Sequence, residues 1–186
     1  MKKLVLFAFV FGTFLSATAQ KFYSKDAKVS FDATSKTSPE KIAALNPKGT
    51  IVIDAATGKM EAAVLVTGFH FEQALMEEHF NENYMESTKF AKATFAGEVV
   101  DFKKTVNLAK EGEYTATVKG KLTMHGVTKD VETKGIFTVK GSKVTVVKAS
   151  FKAPLADYKV AIPKIVSDKI AVDAKIYIAA AMLQLK

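Results

Sequence analysis

The chain has no Cys and no Trp, and every one of its 27 basic residues is Lys, so Arg is absent as well. Without Cys there is no disulfide framework, thiolate metal site or Cys nucleophile. Without Arg there is no planar fork for a phosphate, a carboxylate or a guanine edge, and without Trp a strong stacking platform is missing. Sequence-specific nucleic-acid binding is therefore not expected. The three histidines, His70, His79 and His125, contain no i, i+2 or i, i+4 pair, so their spacing does not support zinc. Glu78, His79 and Glu82 sit on neighbouring helical faces, where an exposed charged helix surface explains them better than a cation site. Neither a Gly-x-Ser-x-Gly elbow nor a Gly-rich phosphate loop occurs, and His125 reads as a turn residue bonded to nearby backbone rather than a general base. No enzymatic activity, cofactor or metal is expected.

What is present is a composition of 48% hydrophobic and 25% charged residues over 186 positions, the profile of one folded domain with a real core. The start, Met1-Lys2-Lys3, an apolar run from Leu4 to Leu15, then Ser16 and Ala17-Thr18-Ala19, has the three parts of a secretory signal. Its run of 12 residues is short of the roughly 20 that a spanning helix needs. Residues 1–19 are thus expected to be a signal peptide cleaved after Ala19, leaving 20–186 as one exported domain, periplasmic or extracellular. No Cys follows the leader, so lipid anchoring is not expected. Removing Lys2 and Lys3 leaves 25 Lys against 19 acidic residues, a net charge of +6 that keeps the surface solvated and favours transient contact with an anionic envelope surface.

Most of the remaining chain reads at period two. From Glu113 to Met124 the even positions, Tyr114, Ala116, Val118, Gly120, Leu122 and Met124, form a dry face and the odd ones a wet face. The parity reverses after His125-Gly126, so Val127, Val131, Gly135, Phe137 and Val139 continue an antiparallel hairpin. Gly141-Ser142 turns the chain again, into a strand from Val144 to Leu155 whose apolar set is Val147, Ala149, Phe151, Ala153 and Leu155. Further strands are expected over Ala27–Ala33, Thr50–Asp54, Lys59–Phe71, Phe90–Phe102 and Ile170–Leu183, the last with Ile170, Val172, Ala174, Ile176, Ile178, Ala180 and Met182 on one face. About eight strands suffice to close a small barrel. Between two of them, Glu72–Ser87 carries Leu75, Met76, His79, Phe80 and Tyr84 at helical spacings. It predicts a single helix, placed either across the mouth or flank of the barrel or along a sheet edge.

Three segments carry a resemblance: Glu78-His79-Phe80 with Phe90-Ala91-Lys92-Ala93-Thr94-Phe95; Gly120-Lys121-Leu122-Thr123-Met124-His125-Gly126-Val127-Thr128-Lys129; and Phe151 through Leu155-Ala156-Asp157-Tyr158-Lys159-Val160. Together they resemble the YceI-like family of exported lipid-binding proteins, whose fold is an eight-stranded, lipocalin-like barrel. Ala91 stands where that family usually has Pro. The resemblance implies a mainly β, eight-stranded antiparallel barrel with one short helix, an apolar chain-like ligand such as a polyisoprenoid, and no catalysis. The small residues Ala116, Gly120, Gly135, Ala149, Ala153, Ala174 and Ala180 either offset Phe71, Phe95, Phe137 and Phe151 in a filled core or leave a void. Composition alone favours the filled core, and hence an envelope stress or adhesion protein acting through its surface; the resemblance reverses that order. The cavity lining it implies is Phe80, Tyr84, Phe95, Ala116, Val118, Leu122, Phe137, Ala149 and Phe151. With no Arg to hold a carboxylate, a neutral chain is the expected guest. Oligomeric state is not legible.

Overall fold

A computed structural model describes residues 20–185, and the expected leader, residues 1–19, lies outside them. Eight long strands follow one another: β1 (Lys21–Thr34), β2 (Ala43–Asp54), β3 (Lys59–Leu65), β5 (Lys92–Val99), β6 (Gly112–Met124), β7 (Val127–Lys140), β8 (Lys143–Pro154) and β9 (Ile170–Ala181). Two stubs, β4 (His70–Phe71) and β10 (Leu183–Gln184), extend the edges of β2 and β1. Each long strand pairs antiparallel with the next, and β1 pairs with both β2 and β9, so the sheet closes into an up-and-down barrel with no free edge along its wall. Residues 21–32 of β1 run along β2 and 28–34 along β9, and bulges between Ser24 and Val29 supply the bend this double pairing needs.

The hairpin turns follow from residues that accept positive φ. His125 and Gly126 lie at φ 50° and 73°, and Gly141 and Ser142 at 55° and 60°, as the right-handed twist of two-residue hairpins demands. Gly97 and Gly120 face each other across β5 and β6. A Cβ on Gly120 would stand 2.6 Å from the Gly97 Cα and 2.7 Å from the Phe95 ring, so both must be glycine for the strands to curve under that ring.

The open end of the barrel is where β1, β3, β6 and β8 finish. The other end is closed. There the chain leaves β5, turns at Asp101 (φ 50°) and forms the single turn α2 (Phe102–Thr105). This inserts Phe102 edge-on against Phe137 at 6.2 Å, while Phe22, Ile53, Val139 and Val144 fill the surrounding space. The expected strand over Phe90–Phe102 is therefore shorter, and the two N-terminal strands are longer than the expected 27–33 and 50–54.

Two further expectations change. The strand over Lys59–Phe71 breaks at Val66–Gly68, because the buried Asn46 side chain donates to the Leu65 carbonyl at 2.8 Å and occupies the space beside Gly68. The single helix over 72–87 is α1 (Ala74–His79) followed by a π turn (Phe80–Tyr84) closed by the Met85 N–H donating to the Phe80 carbonyl. The wider turn keeps Phe80 and Tyr84, four residues apart, on one side. Val172, expected on the apolar face of β9, is instead 75% exposed. β8 ends at Pro154 opposite Asp173, so nothing covers it.

Candidate ligand-binding cavity

The open half of the barrel is hollow. A cavity of about 490 Å³ lies above the packed end. Its floor and wall come from inward-facing residues at alternate strand positions, among them Ile51, Met60, Ala62, Val118, Gly135, Val147 and Ala149, with Val64, Leu122, Phe151 and Ile176 nearer the mouth. The void follows from size: where the closed end has Phe22 and Phe137, this level has Ala62, Gly135 and Ala149. The wall hydroxyls of Thr133 and Thr50 donate to the Ser150 and Ala63 carbonyls, so they are satisfied by the barrel itself. The charged side chains on the lining, Glu40 and Lys169, belong to the loops at the mouth. An apolar cavity whose charged side chains sit at the mouth suits an apolar, uncharged guest.

The lid is α1 and its π turn. Leu75, Met76, His79, Phe80 and Tyr84, grouped by spacing in the sequence, all reach the cavity. Phe80 is a hub: its ring stacks on Phe31 at 5.3 Å and 19°, and meets Phe71 at 5.1 Å and Phe69 at 5.8 Å. β4 sets Phe71 by pairing it with Ala44. Burial pushes the Tyr84 phenol above its ordinary pKa. Phe31 and Phe69 were not singled out in the sequence; the available signal was the alternation Phe69-His70-Phe71 directly before the helix.

Of the nine implied lining residues, Phe80, Tyr84, Phe95, Val118, Leu122, Ala149 and Phe151 are on the cavity wall. Ala116 and Phe137 are not. Both point inward as their parity requires, but they lie below the cavity floor, in the core packed against Phe102 and Val118. Lys148 and Ser150, flanking Ala149, are exposed.

His125 does not bond to backbone near it in sequence. Its Nδ1 donates to the Tyr158 carbonyl at 3.0 Å, and its Nε2 lies 3.3 Å from Glu86 Oε1, while Phe90 packs edge-on at 4.8 Å. This ties the β6–β7 hairpin to the end of the lid and to the turn Leu155–Tyr158 after β8. Glu86 and Lys159 adopt φ 44° and 57° at the same junction, so three strained non-glycine residues converge on it. The hydrogen bond from His125, assisted by Lys89, holds the Glu86 carboxyl below the usual range against a smaller opposing effect of burial. His79 makes no ion pair or side-chain hydrogen bond among the described residues, and no cluster of three or more His, Asp or Glu there could hold a metal.

A closed antiparallel meander around an apolar cavity that opens at one end defines a lipocalin-like binding barrel. The chain belongs to the YceI-like domain family, whose model matches residues 10–178. Among solved structures it is similar to a polyisoprenoid binding domain from Saccharophagus degradans implicated in plant cell wall breakdown, at 14% identity and TM-score 0.72 over 88% of this chain and 97% of that one. It is also similar to BcnA of Burkholderia cenocepacia, at 16% identity and TM-score 0.64 over 84% and 96%. For the YCEI protein of Campylobacter jejuni the values are 18% and 0.54 over 75% and 81%. At these identities the likeness is one of fold. Among curated proteins none matches.

Proposed function

We propose that this protein is an exported carrier that sequesters an apolar chain of polyisoprenoid type in its barrel cavity, by burial and without bond chemistry. The observation that carries the reading is the apolar void of about 490 Å³ beneath an aromatic lid. The polyisoprenoid-binding character of the Saccharophagus degradans domain, and the signal-like residues 1–19, support the ligand class and the export. A void of that size receives a segment of a few isoprene units. Burial at about 0.8 kcal/mol per methylene gives such a segment micromolar or better affinity after association costs, with no charged anchor. The filled-core alternative loses its ground, since the interior holds a void of ligand size.

Native mass spectrometry of protein purified from its own cells tests the reading, together with titration of geranylgeraniol into delipidated protein. A co-purified prenyl chain, or saturable one-to-one uptake of geranylgeraniol blocked by Ala149→Trp, is the expected result. A protein that takes up no apolar chain overturns it, and N-terminal sequencing that finds Met1–Ala19 retained overturns the export.

A further inference from the structure

We infer that one lip of the cavity mouth, formed by the 159–170 segment and the adjoining 35–41 loop, is a docking surface for an anionic lipid bilayer. The inference rests on the carrier reading and adds where the chain is loaded. Its first observation is Ile165, in the single 3-10 turn Lys164–Val166. It is 88% exposed, the most exposed large hydrophobic residue among those described, while its neighbour Val166 lines the cavity. Val172, just after this segment in β9, is 75% exposed, and Leu75 of the lid is 59% exposed and lines the cavity. Scattered exposed apolar residues are ordinary; a set ringing the opening of an apolar cavity is a continuous greasy path from surface to interior.

The second observation is charge. Lys36, Lys41, Lys159, Lys164 and Lys169 gather on this lip, and none of them forms an ion pair among the described residues, whose bridged lysines lie elsewhere. The acids here are Glu40 and Asp168, with Asp157 just before and Asp32 and Asp173 at the adjoining strand ends. Against the opposing effect of burial, hydrogen bonds from Thr34 together with Lys175 and Lys41 draw the Asp32 carboxyl down, and with Lys175 counted the lip stays net basic. The third is rigidity. The Ser35 and Thr37 hydroxyls both donate to the Asp168 carbonyl, and the Ser35 N–H donates to the Lys169 carbonyl at 3.0 Å, so the two loops move as one body. The lid segment from Glu72 to Tyr84 carries Glu72, Glu77, Glu78 and Glu82 and no Lys.

Point-charge lysines around an apolar tip fit anionic headgroups over acyl chains, the pattern of a peripheral membrane anchor. The acidic lid is repelled by the same surface, so contact falls on the two basic loops rather than on the lid. A bilayer pressed to the mouth keeps out of water any part of a prenyl chain that the cavity does not enclose.

The test is co-sedimentation of the protein with sucrose-loaded vesicles of phosphatidylcholine, alone or mixed in equal parts with phosphatidylglycerol. Binding to the mixed vesicles only, released by salt, is expected. Lys36→Glu with Lys164→Glu should weaken it by roughly 25-fold or more, at about fivefold per lysine lost. Ile165→Asp should weaken it roughly tenfold. Lys103→Glu with Lys104→Glu, at the closed end, changes the net charge equally and should leave binding within about twofold of the unaltered protein. Geranylgeraniol uptake in vesicle-free buffer should be the same in all four proteins, which separates docking from ligand binding. If uptake is absent while residue-dependent docking persists, the carrier reading fails and the docking surface stands. Failure of the unaltered protein to bind mixed vesicles overturns the docking, as does equal loss in the closed-end variant. So does light scattering that shows a dimer dissolved by Ile165→Asp, because the lip would then be an interface between copies.

Discussion

The closed and open halves of this barrel are walled by the same eight strands, with the same parity, and differ in what they point inward. At the closed end Phe22, Phe137, Val139 and Val144 are fully buried and Phe102 is driven between them from α2. A few residues along the same strands, Ala62, Gly135 and Ala149 face inward and leave a void roofed by Phe31, Phe69, Phe71 and Phe80. The lesson is a division of stability from function: one half supplies the packing that holds the barrel shut, and the other forgoes packing so that a guest can supply it.

Breaking the packed half should have the largest effect. Phe137→Ala is expected to cost about 3–5 kcal/mol by urea denaturation, the usual range for a buried aromatic deletion, while the variant that remains folded still takes up geranylgeraniol. A cost under about 1 kcal/mol would mean that the closed end is no better packed than the open one.

The same side chain added to both halves should separate them further. Ala116→Trp lands in filled space beside Gly135 and Phe137 and should destabilise by at least about 1–3 kcal/mol. Ala149→Trp enters the cavity and should change stability by less than about 1 kcal/mol while abolishing uptake of an apolar chain. Lys148→Trp on the outer face should do neither. Unfolding of Ala149→Trp would show that the void is not available to a guest, and full uptake would remove β8 from the site.

Weakening the lid should matter less to stability than to exchange. Replacing Phe80 and Tyr84 together by Ala removes the aromatic hub, and is expected to speed ligand release several-fold in stopped-flow displacement for about 1–2 kcal/mol of stability, since both are partly exposed. Unchanged affinity and release rate would reduce the helix to a cover.

The smallest effect concerns the junction that fastens the lid. Because the Glu86 carboxyl is depressed below its ordinary pKa, its contact with the doubly protonated His125 ring fades as pH falls through the lower folded value. Carboxyl-carbon NMR should place the Glu86 midpoint below that of free glutamate, and His125→Ala should move it upward. An unmoved midpoint would show that His125 is not what holds it.

Much of the barrel was legible because its determinants are local. Alternation over Glu113–Lys140 announces β6 and β7, and His125-Gly126 and Gly141-Ser142 announce their turns, because φ and pleat are properties of neighbouring residues. Seven of the nine implied lining residues reach the cavity because parity decides inside from outside. Height along the barrel axis is not local, and that is why Ala116 and Phe137, correct in parity, fall below the cavity floor. It depends on how β6 and β7 stagger against α2, which is far from Phe137 in sequence.

Local pattern alone specifies the strands, their inward faces, the absence of an Arg anchor and the helical grouping of Leu75, Phe80 and Tyr84. Closure of the barrel is what bends β1 to meet both β2 and β9, lets Asn46 break β3, and brings His125 to Glu86 and Tyr158. It also decided that Lys36 and Lys164 would share one lip of the mouth. These placements join segments that lie apart in the chain, formed when closure of the sheet brings strand ends together, and no period or spacing encodes them.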